Sequence, residues 1–252
     1  MIDLHTHILP YVDDGAADLD MALEMGQYAA SKGIRVIAAT PHFYQIPDWA
    51  KIQSKVANLQ KAFLQHQIDV TLVAGAELFM DLDIVAMAPN QIPTYGGGGK
   101  YCLIELPLQQ VPMYTEQVIF SLQTKGITPI IAHPERYLAV GNDPNTALGW
   151  IELGCLIQMN TGSILGRFGH RIQSTAEIML THNMVHFLGS DGHSLNRRRL
   201  NLVEGYEAVK EIVGEEEARK LVKEYPQAVL KNESLQVPEG RKYEKKKRFW
   251  FF

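Results

Sequence analysis

Cysteine is scarce, with only two in 252 residues. Both Cys102 and Cys155 fall inside apolar runs that read as strands, so buried, reduced thiols are expected rather than a disulfide. Neither is followed by the loop and arginine with which a cysteine phosphatase holds phosphate over its nucleophile, which leaves thiolate catalysis unsupported. No apolar run approaches the roughly 20 residues needed to span a bilayer, and no basic-then-apolar leader precedes Asp3. A cytoplasmic protein is expected. Excess charge is also missing. The net charge of −4 gives no electrostatic case for nucleic acid as the main partner. Internal repeats are absent, and low complexity is confined to Gly96–Gly99. That stretch precedes a strand, so it reads as a flexible connecting loop, because a phosphate-binding loop should follow a strand and open a helix.

What is present is a regular alternation. Strands are predicted at Ile2–His5, Arg35–Ala39, Thr71–Ala76, Tyr101–Leu106, Thr128–Ala132, Cys155–Asn160 and Val185–Ser190. Helical patterns lie between them, near Leu19–Lys32, Asp48–His66, Tyr114–Lys125, Pro144–Gly154 and Ser174–Asn183, with two more near Asn201–Val213 and Glu215–Glu224. Strands alternating with helices argue for parallel β-α units, and the length suits one α/β barrel of about 250 residues. An open doubly wound sheet fits the alternation too. Strand count and the placement of polar residues favour a closed, irregular barrel.

Those polar residues sit at strand ends. His5-Thr6-His7 ends the first strand, and two histidines at alternate positions of an extended chain can reach one metal. Asp13-Asp14-Gly15 lies in the following loop. His42 follows the second strand, Glu77 and Glu105 end the third and fourth, His133 follows the fifth, and Asp191-Gly192-His193 follows the last. In a parallel barrel these ends converge on the face where active sites form. A lone strand-end Glu is ordinarily solvated and a lone His ordinarily structural, but so regular a set points to a shared metal site. Glu105, in Cys102-Leu103-Ile104-Glu105-Leu106, would be costly to bury without a cation. Imidazoles and carboxylates without thiolates suit Mn, Zn or Fe. So many donors imply two or three ions, which acidify water and neutralise phosphoryl oxygens. Arg136 and the run Arg197–Arg199 can supply guanidiniums for phosphate.

These motifs are similar to those of the PHP superfamily, named for polymerase and histidinol phosphatase: an early H-x-H, further strand-end His and Glu, and a closing D-x-H. Ile2-Asp3-Leu4-His5-Thr6-His7, Asp13-Asp14-Gly15, Ala39-Thr40-Pro41-His42 and His133-Pro134-Glu135-Arg136 closely resemble manganese-dependent protein-tyrosine phosphatases of Gram-positive capsule loci, the CpsB/Wzb type. The resemblance implies a distorted seven-stranded barrel and a three-metal manganese centre, with Fe, Zn or Mg as alternatives. By motif, His5, His7, Glu77 and Asp191 would surround one metal, and Glu77 would bridge to a second held by Glu105 and His133. Asp14, His42 and His193 would surround the third. Arg136 and Arg198 would bind phosphate, with Arg197 and Arg199 competing for the second position as Asp13 competes with Asp14. A metal-activated hydroxide would displace phenolate, with a histidine near the third metal, such as His42, as candidate proton donor. The implied substrate is a tyrosine-phosphorylated protein, a bacterial tyrosine kinase that controls polysaccharide export. A histidinol-phosphate-like small-molecule phosphatase, a nuclease, or a non-catalytic adaptor using the tail stands as the alternative.

Other features read as structural. His66 and His182 end helices, His186 sits in the last strand as a packing residue, and His170 lies in the loop Gly162–Arg171, which can overhang the site. Residues 1–240 form the predicted domain. The tail Arg241–Phe252, basic and then aromatic, is suited to an anionic membrane surface, a partner or another subunit, or to solvent alone.

Overall fold

In the computed structural model the described residues are 1–45, 47–196 and 198–245. The strands are β1 (Ile2–Thr6), β2 (Val36–Ala39), β3 (Thr71–Ala74), β4 (Glu77–Phe79), β5 (Tyr101–Glu105), β6 (Thr128–Ala132), β7 (Leu156–Asn160) and β8 (Phe187–Gly189). All pair in parallel, in a three-stranded sheet ordered β1-β2-β3 and a five-stranded sheet ordered β4-β5-β6-β7-β8. The fold is therefore α/β. The strand predicted at Thr71–Ala76 ends two residues early, and Glu77 opens a new strand in the other sheet. The cause is local. Gly75 N donates to Ala39 O at 2.9 Å and Glu77 N to Pro41 O at 3.0 Å, so the chain stays tied to β2 and its continuation while β4 turns its other edge to pair with β5.

Backbone bonds also link the two sheets at the other seam. Asp191 N donates to His5 O at 2.8 Å and His7 N to Gly192 O at 2.9 Å. Deeper in the same seam, Asp3 Oδ1 accepts from Ser190 N at 3.0 Å.

Helices α1 (Leu19–Ser31), α2 (Trp49–Gln65), α3 (Asp83–Ala86), α4 (Thr115–Thr124), α5 (Leu138–Asn142), α6 (Asn145–Glu152), α7 (Thr161–Ile164), α8 (His170–Thr181), α9 (Leu202–Val213), α10 (Glu215–Arg219) and α11 (Tyr225–Leu230) surround the sheets. Asp18 and Asp48 cap α1 and α2, each accepting from a main-chain N–H three residues on. The helix predicted from Ser174 starts four residues earlier. The one predicted over Glu215–Glu224 passes through a π turn at Lys220–Glu224 into α11. None of the described helices is long and apolar enough to cross a membrane.

Strand alternation divides the core in two. Cys102, Ile104, Ile131, Ile157, Met159 and Leu188 pack outward in the larger cluster. Leu103, Ile130, Ala132, Leu156 and Phe187 pack inward with Leu4 and Ala38. Continuing the inward parity places Glu105, Gln158, Asn160 and Asp191 above that apolar floor. β1 departs from parity, because its register with β2 shifts between Asp3 and Thr6. Leu4 therefore joins the floor while His5, the next residue, enters the polar layer. Gly189 makes the room, since a Cβ there would lie 2.8 Å from His5 Cβ and 2.7 Å from Gln158 Nε2.

Both cysteines are buried and free, as expected. The Gly96–Gly99 connection is a tied turn rather than a loose loop. Gly97 N and Gly98 N donate to Thr94 O and Tyr95 O, and the buried Tyr95 hydroxyl donates to Leu4 O at 2.9 Å. The first residues of the expected tail also belong to the body, with Arg241 N donating to His182 O and Tyr243 N to Asn145 Oδ1, both at 2.8 Å. Residues 246–252 lie outside the described residues.

Two glycines in helices give opposite expectations. A Cβ at Gly205 would collide with Thr161 Cβ, whereas one at Gly149 meets nothing within 4 Å. Gly205→Ala should destabilise by about 1–3 kcal/mol, and Gly149→Ala should stabilise by about 0.5–1 kcal/mol. Thermal melts that moved both variants the same way would contradict this packing.

Candidate metal centre

Glu77 opens β4 with its side chain 1% exposed. Oε1 lies 3.0 Å from His133 Nε2 and 3.4 Å from His5 Nε2, while Oε2 lies 3.0 Å from His42 Nδ1 and 3.4 Å from His7 Nε2. One carboxylate thus stands among four imidazoles, two delivered by the end of β1, one by the end of β6 and one by the loop after β2. Asp191 lies 3.6 Å from His5 Nε2, 3.4 Å from His7 Nε2 and 3.4 Å from His193 Nδ1. Asp14 approaches His193 Nε2 at 3.2 Å and His42 Nε2 at 3.5 Å, and Glu105 approaches His133 Nε2 at 3.6 Å. All nine residues expected as ligands, from His5 to His193, are brought together.

The arginines separate. Arg198 Nη2 donates to both oxygens of Asp191 at 2.9 Å, and its Nη1 donates to Asp14 Oδ2 at 3.2 Å. Arg136 Nη1 donates to Asp191 Oδ2 at 3.3 Å, its guanidinium 4.8 Å from the Phe168 ring centre. Arg199 turns instead to Glu204 at 3.5 Å, and Arg197 lies outside the described residues.

The remaining histidines stay apart from the cluster. His66 and His182 cap the C-terminal ends of α2 and α8, and His170 opens α8 on the surface. His186 is buried, its Nδ1 accepting from Ile157 N at 2.9 Å. The loop before α8 does reach the site, through Phe168 rather than His170.

The electrostatics are those of a donor set needing positive charge. Burial pushes the Glu77 carboxyl up, but the His5 charge, the hydrogen bond from His133 and the close approach of the His42 and His5 rings outweigh it and hold the group well below the usual range. Asp191 is likewise held low against its burial, by His5, His7 and Arg198. Burial, then the neighbouring Glu77, raises Glu105 to about 7. Burial lowers His133 to about 4, and burial with the His7 charge lowers His193 to about 4, so both rings are neutral near pH 7.

Three features fit these residues to cations. His5 Nε2 and His7 Nε2 face each other at 3.3 Å, although the Nδ1 of each already donates, to Gln158 Oε1 and to Asp13 Oδ2, at 2.8 Å. The buried His42 Nδ1, His133 Nδ1 and His193 Nε2 lack aligned hydrogen-bond partners. Finally, the sets His7/Asp14/His42/His193, His5/His7/Glu77 and His42/Glu77/Glu105 each present ligand atoms within 4.8 Å of one another. Imidazole nitrogens and carboxylate oxygens converging this closely from different strands form a donor set that suits divalent ions.

Comparison with known proteins agrees with this chemistry. The family model described as capsular polysaccharide synthesis, CpsB/CapC, matches residues 1–231. The chain belongs to the CpsB/CapC family. It is 32% identical over its whole length to the whole of tyrosine-protein phosphatase YwqE of Bacillus subtilis. It is 34% identical to the putative tyrosine-protein phosphatase CapC of Staphylococcus aureus, covering 100% of this chain and 99% of that one. A solved structure from work on YwqE and Streptococcus pneumoniae CpsB, described as unique metal-dependent tyrosine phosphatases, superposes with a TM-score of 0.92. There the identity is 30%, over 97% of this chain and 100% of that chain.

Sequence reasoning weighed Asp13 only as a rival to Asp14. In this CpsB/CapC chain the two divide the work. Asp14 faces the cluster, whereas Asp13 accepts from His7 Nδ1 at 2.8 Å, His42 N at 3.0 Å and Gly15 N at 3.0 Å. A carboxylate behind a ligand imidazole fixes its tautomer and orientation. Gln158 does the same for His5, and Asn160 Nδ2 donates to Asp191 Oδ2 at 2.7 Å. The signal for these supports is the strand parity that carries β7 into the polar layer.

Burial pushes Asp13 up, but the His7 hydrogen bond and charge prevail and bring it to about 2. A carboxyl depressed on folding adds stability that is complete above its unfolded pKa and lost as pH falls through the folded one. That window runs from about 4 to about 2 and carries on the order of 2 kcal/mol. Asp13→Asn should flatten the acid limb of stability over that window, and an unchanged limb would show that the Asp13–His7 pair contributes nothing.

Proposed function

We propose that this CpsB/CapC-family chain is a metal-dependent protein-tyrosine phosphatase, the reading supported above all by Glu77 standing among four imidazoles with two arginines at the same site. The ligand assignment follows the proximities. His5, His7, Glu77 and Asp191 would hold one cation; Glu77, Glu105 and His133 a second; Asp14, His42 and His193 a third. Mn²⁺ is the preferred occupant, and the nitrogen and oxygen donors also suit Zn, Fe or Mg. When bound, such ions lower the pKa of coordinated water and neutralise phosphoryl charge.

The chain's own groups supply the rest. Arg136 and Arg198 are placed to take phosphate oxygens through parallel charge-assisted hydrogen bonds. Phe168 braces the Arg136 guanidinium. Both nitrogens of His42 face carboxylates, Glu77 at 3.0 Å and Asp14 at 3.5 Å, a setting that suits a cation ligand and also a ring serving as the proton donor. A phenol leaving group, with pKa about 10, makes little demand for a strong acid.

In architecture, the bonds across both seams support one distorted barrel in which β3 and β4 share a position, giving seven. Residues 1–240 would form the catalytic domain, with 241–252 as an appendage. The proposed substrate is a tyrosine-phosphorylated protein, a bacterial tyrosine kinase governing capsular polysaccharide synthesis.

Protein loaded with Mn²⁺ should hydrolyse a phosphotyrosine peptide and lose turnover on chelation. Arg198→Ala and Arg136→Ala should each lower kcat/KM by about 10²–10³. Alkylation with iodoacetamide should leave the rate unchanged, because burial pushes Cys155 up to about 12 and Cys102 higher still. An intact peptide, or inactivation by alkylation, would defeat the proposal.

A further inference from the structure

A groove of about 880 Å³ opens beside the cluster, between the segment after β2 and the segment after β4. That volume is within the usual range for ligand sites. Tyr44, Trp49, Phe79 and Met87 contribute apolar walls, and Asp48, Asp81 and Asp83 its charge. The groove adjoins the metal centre through its lining residue Tyr44. The Tyr44 ring stacks on His42 with centroids 5.1 Å apart and meets Phe79 edge-on at 6.4 Å. Phe79 itself ends β4, two residues after Glu77. Both rings are open to solvent, Tyr44 at 56% and Phe79 at 39%. Adjacent exposed aromatics lining one concave surface mark a binding face.

Charge sets the polarity of an occupant. Asp81 and Asp83 are exposed and make no ion pair with a lysine or arginine among the described residues. The nearby Lys125 is engaged by the carbonyls of Ile84 and Val85, at 3.0 and 2.8 Å. A separate cavity of about 390 Å³, on the Asp191 side of the centre, is lined by Arg167, Arg198 and Arg199. On the phosphatase reading phosphate charge would be met in that arginine-lined cavity, whereas the groove beside Tyr44 is acidic and apolar.

We propose that this groove is a specificity subsite for the polypeptide flanking the phosphotyrosine, selecting an apolar side chain accompanied by a basic one. The inference rests on the phosphatase reading. Phe79 and Met87 act as specificity-determining residues, and neither belongs to the catalytic cluster.

The test uses full-length, Mn²⁺-loaded protein and three substrates. These are p-nitrophenyl phosphate, a phosphotyrosine peptide with leucine and lysine in its flanks, and the same peptide with glycine and serine in their place. Wild type should favour the leucine-lysine peptide by about tenfold in kcat/KM, carried by KM, the scale of burying one apolar side chain. Phe79→Ser and Met87→Ser, on separate segments, should each abolish most of that preference and leave p-nitrophenyl phosphate turnover unchanged. Fluorescence anisotropy with non-hydrolysable phosphonate peptides should give the same ratio in Kd. Equal use of both peptides by wild type would overturn the subsite, as would variants that slow p-nitrophenyl phosphate as much as peptide. A rise in peptide turnover on deleting residues 246–252, absent in the groove variants, would assign the groove to the basic-aromatic tail of a second copy and overturn it too. Wild type inert toward every substrate would instead remove the phosphatase reading beneath it.

Discussion

The structure turns on a carboxylate that has no business being buried alone. Desolvating an ionised Glu is expensive unless positive charge and hydrogen bonds replace the lost water. Glu77 meets that demand with four imidazoles from three places in the chain, at 3.0–3.4 Å. Because its partners arrive from β1, β2 and β6, the strand ends must converge for the residue to be tolerated at all. The break between β3 and β4 serves this convergence, since Glu77 stays bonded to Pro41 beyond the end of β2 while β4 turns to pair with β5 and points the carboxylate inward.

Behind the cluster, a layer of neutral and acidic side chains fixes orientation. Asp13 holds His7, Gln158 holds His5 and passes an N–H to Asn160 at 3.0 Å, and Asn160 holds Asp191. Glu135 closes the network from below, accepting from Asn160 N and Ser163 Oγ. Two of the converging residues, His133 and Asp191, adopt left-handed backbone with φ of 34° and 51°. For residues other than glycine this costs roughly 1–3 kcal/mol and persists where the surroundings over-determine it, commonly at functional sites. The network supplies that determination, so rigidity and local strain belong to one design.

Much of this was legible in the chain. The strand-end pattern identified eight of the nine clustered residues, since an apolar run ending in a carboxylate or imidazole is conspicuous, and it left Asp14 open with its neighbour Asp13. Element positions followed from periodicity to within a few residues at most boundaries. Other features were not legible, for physical reasons. Whether Thr71–Phe79 is one strand or two depends on where backbone hydrogen bonds go, and residue type does not record that. The division of labour between Asp13 and Asp14 depends on a one-residue difference in direction within a loop. Arg198 was separable from Arg199 only once Glu204 was seen to engage the latter. Gln158 and Phe168 act through contacts distant in sequence, and their types are common in ordinary cores.

The chemistry therefore depends on lone pairs, held in place by the network, that converge on shared cations. Anomalous diffraction at the manganese edge, from crystals grown with Mn²⁺, tests this most directly. Anomalous peaks should fall among His5, His7, His42, Glu77, Glu105, His133, Asp191 and His193, with Arg198 released from Asp191 or sharing it with an ion. Crystals without anomalous signal there, with these side chains still bonded to one another, would contradict the account.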